Sequence, residues 1–273
     1  MKKNIAVAGL GLIGGSLARA FRTYTDCTVA GFDRDPEVVR AALRCGAISR
    51  AGSEKDIRKS DILHLCLYPR AAVQFTEKNL GAIPAECVVT DTCGVKESLC
   101  REMGKLARRG GFSFLGSHPM AGNEKSGFSA GRADLFKGAD YIITPCGAPE
   151  RAVGILKTAA LSIGFSRVIL STPEEHDQRI AFTSQLPHAV ACAYVNCPAF
   201  SQRDGFSGGS CRDLSRVADI NEILWTELFL ENRGPLLHAM DALTESLAEI
   251  RKAVASGDSD ALRAILARSR MRK

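Results

Sequence analysis

Nowhere does the chain stay apolar for the roughly 18 residues that a bilayer-spanning helix needs, so no membrane span is expected. No Cys-x-x-Cys pair occurs, and the ten cysteines are scattered rather than set at metal-ligand spacing. Several fall in apolar runs, Cys66 between Leu65 and Leu67 and Cys192 between Ala191 and Ala193. A disulfide framework and a metal site are thereby disfavoured. Reduced thiols acting as small buried hydrophobes in the cytoplasm are expected instead. There is no internal repeat and no low-complexity tract, which argues against a disordered chain. Aromatic and basic residues do not interleave, so the formal charge of +6 does not point to nucleic acid. Part of that charge is Arg263, Arg268, Arg270, Arg272 and Lys273, as at a solvated helix end. A mild positive field suits a small polyanionic substrate. A cleaved signal peptide is not expected either, because Met1-Lys2-Lys3 leads directly into an apolar strand.

What is present is an alternation. Short apolar runs at Asn4–Leu10, Thr28–Asp33, Ile62–Leu67, Cys87–Asp91, Phe112–Leu115, Tyr141–Thr144 and Val168–Leu170 read as strands. Helical patterns fall between them, among them Leu12–Phe21, Pro36–Leu43 and Arg151–Ser162. Strands separated by helices argue for a parallel sheet covered on both faces. After Leu170 the pattern changes. Thr172-Pro173-Glu174-Glu175 reads as a helix start, and no convincing strand follows it. Pro187 should kink or break the first long helix, and glycine-rich Phe200–Cys211 reads as a loop. At 273 residues, two domains are expected: an α/β, Rossmann-type parallel-sheet domain over 1–170, then an all-α dimerisation and substrate domain over 171–273.

Gly9-Leu10-Gly11-Leu12-Ile13-Gly14 is a G-x-G-x-x-G run that follows a strand and opens a helix, the context in which it binds a dinucleotide. Gly9 permits the tight turn, Gly11 lets the backbone approach a pyrophosphate, and Gly14 allows close helix–strand packing. Leu12 and Ile13 open the helix whose N-terminus attracts the anion. Asp33 ends the second strand, where a carboxylate can accept the adenosine ribose hydroxyls and repel a 2′-phosphate. NAD is therefore favoured as cofactor, while neighbouring Arg34 leaves NADP open. His118 follows the strand expected to end at Leu115. It is either a structural turn residue or a base able to take a hydroxyl proton as hydride leaves the same carbon.

Four motifs then fall in order: Gly9–Ser16 (GLGLIGGS), His118–Gly127 (HPMAGNEKSG), Ser184–Ala191 (SQLPHAVA) and Gly208–Ala218 (GGSCRDLSRVA), with Trp225 following. In these the chain resembles, over almost its whole length, the prephenate/arogenate (cyclohexadienyl) dehydrogenase family of tyrosine biosynthesis. The resemblance implies NAD-dependent oxidative decarboxylation of prephenate to 4-hydroxyphenylpyruvate, or of arogenate to tyrosine. It implies that His118 is the catalytic histidine and His188 a substrate-binding histidine. Arg216 would bind a substrate carboxylate, which suits its planar fork. Glu124 and Asp213 would form an ionic network with that arginine, and Trp225 would stand near the site. Solvated carboxylates and core packing are the plainer readings of the last three.

The departures are specific. Asp91–Lys96 carries Gly94 where the family usually has a serine that touches both histidine and substrate; water or Thr92 is the candidate replacement. Gln185 stands for a histidine and Asn123 for a threonine, both expected near the substrate. No regulatory ACT or chorismate mutase domain is expected, so any tyrosine feedback would act at the active site. A homodimer through the helical domain is expected, with a cleft between domains. A β-hydroxyacid reductase would need a catalytic lysine in the helical domain, which has none before Lys252. The remaining rival is an inactive NAD-binding sensor, favoured by Gly94 alone.

Overall fold

In the computed structural model residues 2–122 and 125–272 are described. They divide into two compact units, one running up to Asp177 and including Asp219–Glu231, the other formed by Gln178–Ala218 and the chain from Asn232 onward.

The first unit is built on an eight-stranded sheet. Its strands are β1 (Asn4–Ala8), β2 (Thr28–Phe32), β3 (Arg50–Ala51), β4 (Ile62–Leu65), β5 (Val88–Asp91), β6 (Ser113–Pro119), β7 (Asp140–Thr144) and β8 (Arg167–Leu170). They lie in the order β3-β2-β1-β4-β5-β6-β7-β8. Side chains alternate across the sheet, so each strand feeds two cores. Ile5 and Val7 of β1 join Leu17, Phe21, Ile62 and Leu156 on one face. Ala6 and Ala8 join Leu63, Leu65, Leu99 and Met103 on the other. The helices α1 (Leu12–Tyr24), α2 (Pro36–Arg44), α3 (Glu54–Ile57), α4 (Pro69–Lys78), α5 (Glu97–Gly110) and α6 (Glu150–Ser162) connect these strands.

Pairing is parallel from β3 to β6, but β7 runs antiparallel to β6, and β8 is parallel to β7. A parallel return needs a long crossover, usually a helix. Among the described residues between Pro119 and Asp140 the only helical segment is a 3₁₀ turn, Phe128–Ala130, so the chain comes back antiparallel. The same event corrects the expected end of β6. The strand continues past Leu115 because Gly116–Pro119 exchange β5 for β7 as partner, with His118 opposite Ile142. His118 is therefore a strand residue. β3 and α3 also lie outside the expected pattern; two residues and four residues are too short to show a periodicity.

The chain enters the second unit within α7 (Pro173–Ile180) and goes on through α8 (Leu186–Val195) and α9 (Gly209–Arg216). After α10 (Glu222–Glu231), which belongs to the first unit, come α11 (Arg233–Ser256) and α12 (Ser259–Met271). Pro187 does its work one turn early. Ala181–Gln185 widens into a π turn in which the Leu186 amide donates to Ala181, and the proline then sits in the first turn of α8, where no donor is needed. The expected loop at Phe200–Cys211 is interrupted at both ends. Pro198–Gln202 is 3₁₀ and α9 starts at Gly209, capped by extended Gly208. Among the described residues no helix is long and apolar enough to cross a membrane.

Candidate active site

The first unit gathers its chemistry at the carboxyl ends of the parallel strands. Ala8, Leu65 and Asp91 are level across β1, β4 and β5, and the glycine run, Gly94 and His118 all lie just beyond that level. The chain leaves β1 to one side for β2, while β4 packs on the other, which makes this the switch point where open α/β sheets bind ligands.

At Gly9 the backbone is left-handed, φ +89°, and its amide donates to Phe32 at 2.7 Å. A Cβ there would lie 2.2 Å from the Cys66 carbonyl oxygen. At Gly14 a Cβ would meet the Gly9 carbonyl oxygen at 1.8 Å, so α1 packs on the turn only because that side chain is missing. Over Gly11 the space is open to 4 Å. Gly11 caps α1 without a side-chain bond, which leaves the first-turn amides around Leu12 and Ile13 available to an anion. Asp33 stands beside this turn, one oxygen accepting from the Leu10 amide at 2.8 Å and the other from the Asp35 amide at 3.0 Å. Arg34 is exposed. An open, uncapped helix start with a carboxylate at the neighbouring strand end fits a dinucleotide.

His118 is half-buried, and its Nδ1 lies 3.0 Å from Nε2 of His176 on α7. His176 is buried, and its Nδ1 lies 2.7 Å from an Asp177 oxygen. Asp177 in turn accepts from the Lys96 and Glu97 amides, each at 2.8 Å, and so holds the start of α5. The roles follow from who can donate. A carboxylate accepts, so His176 carries its proton on Nδ1 and presents Nε2 as acceptor. His118 must then donate from Nδ1, which leaves its own Nε2 with a free lone pair. Burial, then the His176 ring and the Lys96 charge, push the His118 pKa well below its ordinary value. The ring is a neutral base.

A buried polar frame stands behind it. The Lys96 ammonium pairs with Asp91 and donates to the Cys93 and Val95 carbonyls. Burial works against this charge, yet Asp91 raises the Lys96 pKa above its ordinary value. Asp91 also accepts from the Ser117 amide at 2.9 Å, and the Ser117 hydroxyl bonds Tyr141 at 2.6 Å. The strands on both sides of His118 are thus fixed by satisfied buried groups.

Gly94 lies against this ring. A Cβ there would sit 4.0 Å from His118 Cε1 and 3.5 Å from Leu228 of α10, ordinary contact distances. Thr92 neighbours the Cys66 thiol and offsets part of the rise that burial imposes on it. Trp225, also on α10, is half-buried with its ring edge-on to Phe229 at 5.5 Å. In the second unit, His188 on α8 donates from Nδ1 to the Ser184 carbonyl at 2.8 Å, and Gln185 accepts from Asn232 at 2.7 Å. Asp213 and Arg216 are exposed on α9, one turn apart. Asn123 and Glu124 lie outside the described residues.

Sequence reasoning missed His176, Asp177 and Lys96. Thr172–Glu175 registered only as a helix start, although the chain has just five histidines and the next two residues are His-Asp. That dipeptide was the available signal.

Comparison with known proteins supplies the family. Residues 17–170 match the model described as prephenate dehydrogenase, nucleotide-binding domain, and residues 172–268 match prephenate dehydrogenase, dimerization domain. The chain is 34% identical over 271 residues to the cyclohexadienyl dehydrogenase of Zymomonas mobilis subsp. mobilis, covering 95% of this chain and 91% of that protein. It is similar to the crystal structure of Aquifex aeolicus prephenate dehydrogenase in complex with hydroxyphenyl propionate and NAD+, with a TM-score of 0.89 at 26% identity over 99% of this chain and 96% of that one. The Synechocystis arogenate dehydrogenase structure gives a TM-score of 0.83, also at 26% identity, over 99% and 98% of the two chains.

Proposed function

Because the chain belongs to the prephenate dehydrogenase family and is therefore an oxidoreductase, we propose that it catalyses NAD-dependent oxidative decarboxylation of prephenate to 4-hydroxyphenylpyruvate. Arogenate, which would yield tyrosine directly, is the alternative substrate, and likeness to both a cyclohexadienyl and an arogenate dehydrogenase keeps it in play. The observation that carries the proposal is the chain from Asp177 through His176 to His118, which presents an unprotonated Nε2 at the carboxyl edge of the sheet.

Gly9, Gly11, Leu12, Ile13 and Gly14 would hold the NAD pyrophosphate, and Asp33 the adenosine ribose, with Arg34 beside it. When bound, NAD supplies the acceptor for the hydride that leaves the ring carbon bearing the hydroxyl. His118 Nε2 accepts the hydrogen bond of that hydroxyl and draws its proton as positive charge develops on the carbon. The ring carboxylate departs as CO₂, its bonding electrons complete the aromatic ring, and the proton returns to the phenol oxygen. Gas loss and aromatisation make the step effectively irreversible. His188 and Arg216 would bind the substrate, Arg216 through a carboxylate, with Glu124 and Asp213 completing its ionic network. Gly94, Asn123 and Trp225 would shape the remaining contacts. A nucleotide-binding domain over 1–170 and a helical substrate-binding domain over 171–273 are the corresponding division.

The protein is proposed to be a homodimer through that helical region. The match to a dimerization domain supports this, as do Leu247, Val254 and Leu266, which are 62%, 61% and 58% exposed. A monomeric mass by light scattering at micromolar concentration would contradict it. The reaction is tested by following NADH absorbance with NAD and either prephenate or arogenate, repeated with NADP. NADH formation on one substrate is expected. Silence on both, with NAD still binding, would put an inactive nucleotide-binding role ahead.

A further inference from the structure

Ten thiols are free in this chain, and four of them are buried. Cys66 and Cys93 lie beside Asp91 behind the site, and burial pushes both thiols upward, Cys66 to about 12. One pair differs. Cys100, buried on α5, and Cys146, half-buried after β7, share the Thr144 hydroxyl at 3.5 and 3.7 Å. The Cys146 thiol also donates to the Thr144 carbonyl at 3.2 Å. Cys146 is the only non-glycine residue among those described with positive φ, +53°, a conformation that costs energy and turns the residue at the loop tip. There it lines a surface pocket of about 440 Å³ together with Gly104, Arg108, Phe112, Phe114 and Pro149. Cys100 does not line that pocket. It packs behind, where a Cβ on Gly116 would meet its sulfur at 2.7 Å.

We propose that Cys146 and Cys100 are a dithiol modification site whose substrate is hydrogen peroxide entering this pocket. The proposal is independent of the dehydrogenase reaction. Cys146, as thiolate, attacks the peroxide; the O–O bond breaks, a hydroxide leaves and takes up a proton, and Cys146 becomes a sulfenic acid. The Cys100 sulfur then attacks that sulfur, its proton leaves with the departing hydroxide as water, and a disulfide joins the β7–α6 loop to α5. One peroxide is reduced to two waters as two thiols are oxidised. The thiolate attacks and the neighbouring thiol resolves, the order that exposure dictates. Against the effect of burial, neighbouring Cys100, then the Gly116 backbone and Thr144, hold the Cys146 thiol down to about 7, whereas Cys146 and burial push Cys100 up.

The test uses the reduced full chain treated with hydrogen peroxide, then alkylated, digested and mapped by mass spectrometry. A Cys100–Cys146 linked peptide is expected, with both residues lost to alkylation and both recovered after dithiothreitol. In Cys100→Ser, Cys146 should be trapped by dimedone as a sulfenic acid; in Cys146→Ser, Cys100 should remain alkylatable. Two results overturn the proposal: Cys100 and Cys146 both fully alkylatable after peroxide in the unsubstituted chain, or Cys100 oxidised equally fast without Cys146. The first of these needs no variant.

Discussion

Two histidines of one sheet, His64 in the middle of β4 and His118 at the end of β6, are both held neutral by removal from water. Their surroundings differ. His64 is 2% exposed, faces Phe21 at 5.5 Å, and among the described residues neither ring nitrogen has a hydrogen-bond partner. His118 has one nitrogen committed to a chain of two further groups and the other left available. An isolated buried imidazole costs stability in acid, whereas a tethered one at a strand end is a base with a defined lone pair. Burial alone does not mark chemistry; burial with one directed partner does.

The largest effect should come from His118→Asn, which removes the base and retains a polar side chain. Turnover should fall roughly 10²–10⁴-fold with NAD binding intact, and near-normal turnover would remove His118 from its role. In the unsubstituted enzyme, the acid limb of the rate should lie below pH 6.5, because a base with a lowered pKa is protonated, and lost, only at lower pH.

His64→Leu is the counterpart, with a stability effect and no change in turnover. Its folded pKa of about 4 lies below the ordinary 6.5, so the unfolded chain takes up the proton first. Stability is complete above 6.5 and is lost as pH falls toward 4, by about 3 kcal/mol from this residue. Urea unfolding at several pH values should show a shallower acid loss in the variant. An identical slope would mean that His64 finds a partner in solution.

A smaller effect is expected from Asp177→Asn, because it leaves His118 in place while it disturbs which nitrogen carries the proton and weakens the hold on the Lys96 and Glu97 amides. Losing one directed hydrogen bond, about 1.4–2.8 kcal/mol, corresponds to roughly 10–100-fold in kcat. KM should change little, since nothing that would touch substrate is altered. A loss confined to KM would contradict the positioning role. Gly94→Ser should be the mildest. Its Cβ meets only ordinary contacts, so stability should stay within about 0.5 kcal/mol, while the added hydroxyl beside His118 should shift substrate affinity or rate by less than about tenfold. Unchanged kinetics would show that the hydroxyl has no place in this enzyme.

What the sequence disclosed follows the same division between local and distant causes. The glycine run was legible because each glycine answers to contacts within its own turn and the adjacent strand. His118 was legible as chemistry but not as a strand residue, because β6 is lengthened by β7, a partner some 25 positions away that returns antiparallel. His176 and Asp177 were not legible because the bond that gives them meaning spans 58 positions. Gly94 announced itself only as a departure from a family pattern, and its proximity to His118 required coordinates.

The role of His118 as base depends on its tautomer, and nitrogen-15 NMR of the histidine-labelled protein near neutral pH reads it directly. The five ring systems can be assigned by single replacements. The His118 ring should show a protonated Nδ1 and an unprotonated Nε2, and Asp177→Asn should disturb that pattern. A His118 ring protonated on Nε2 in the unsubstituted protein would contradict the account, because the nitrogen assigned as base would have no lone pair to offer.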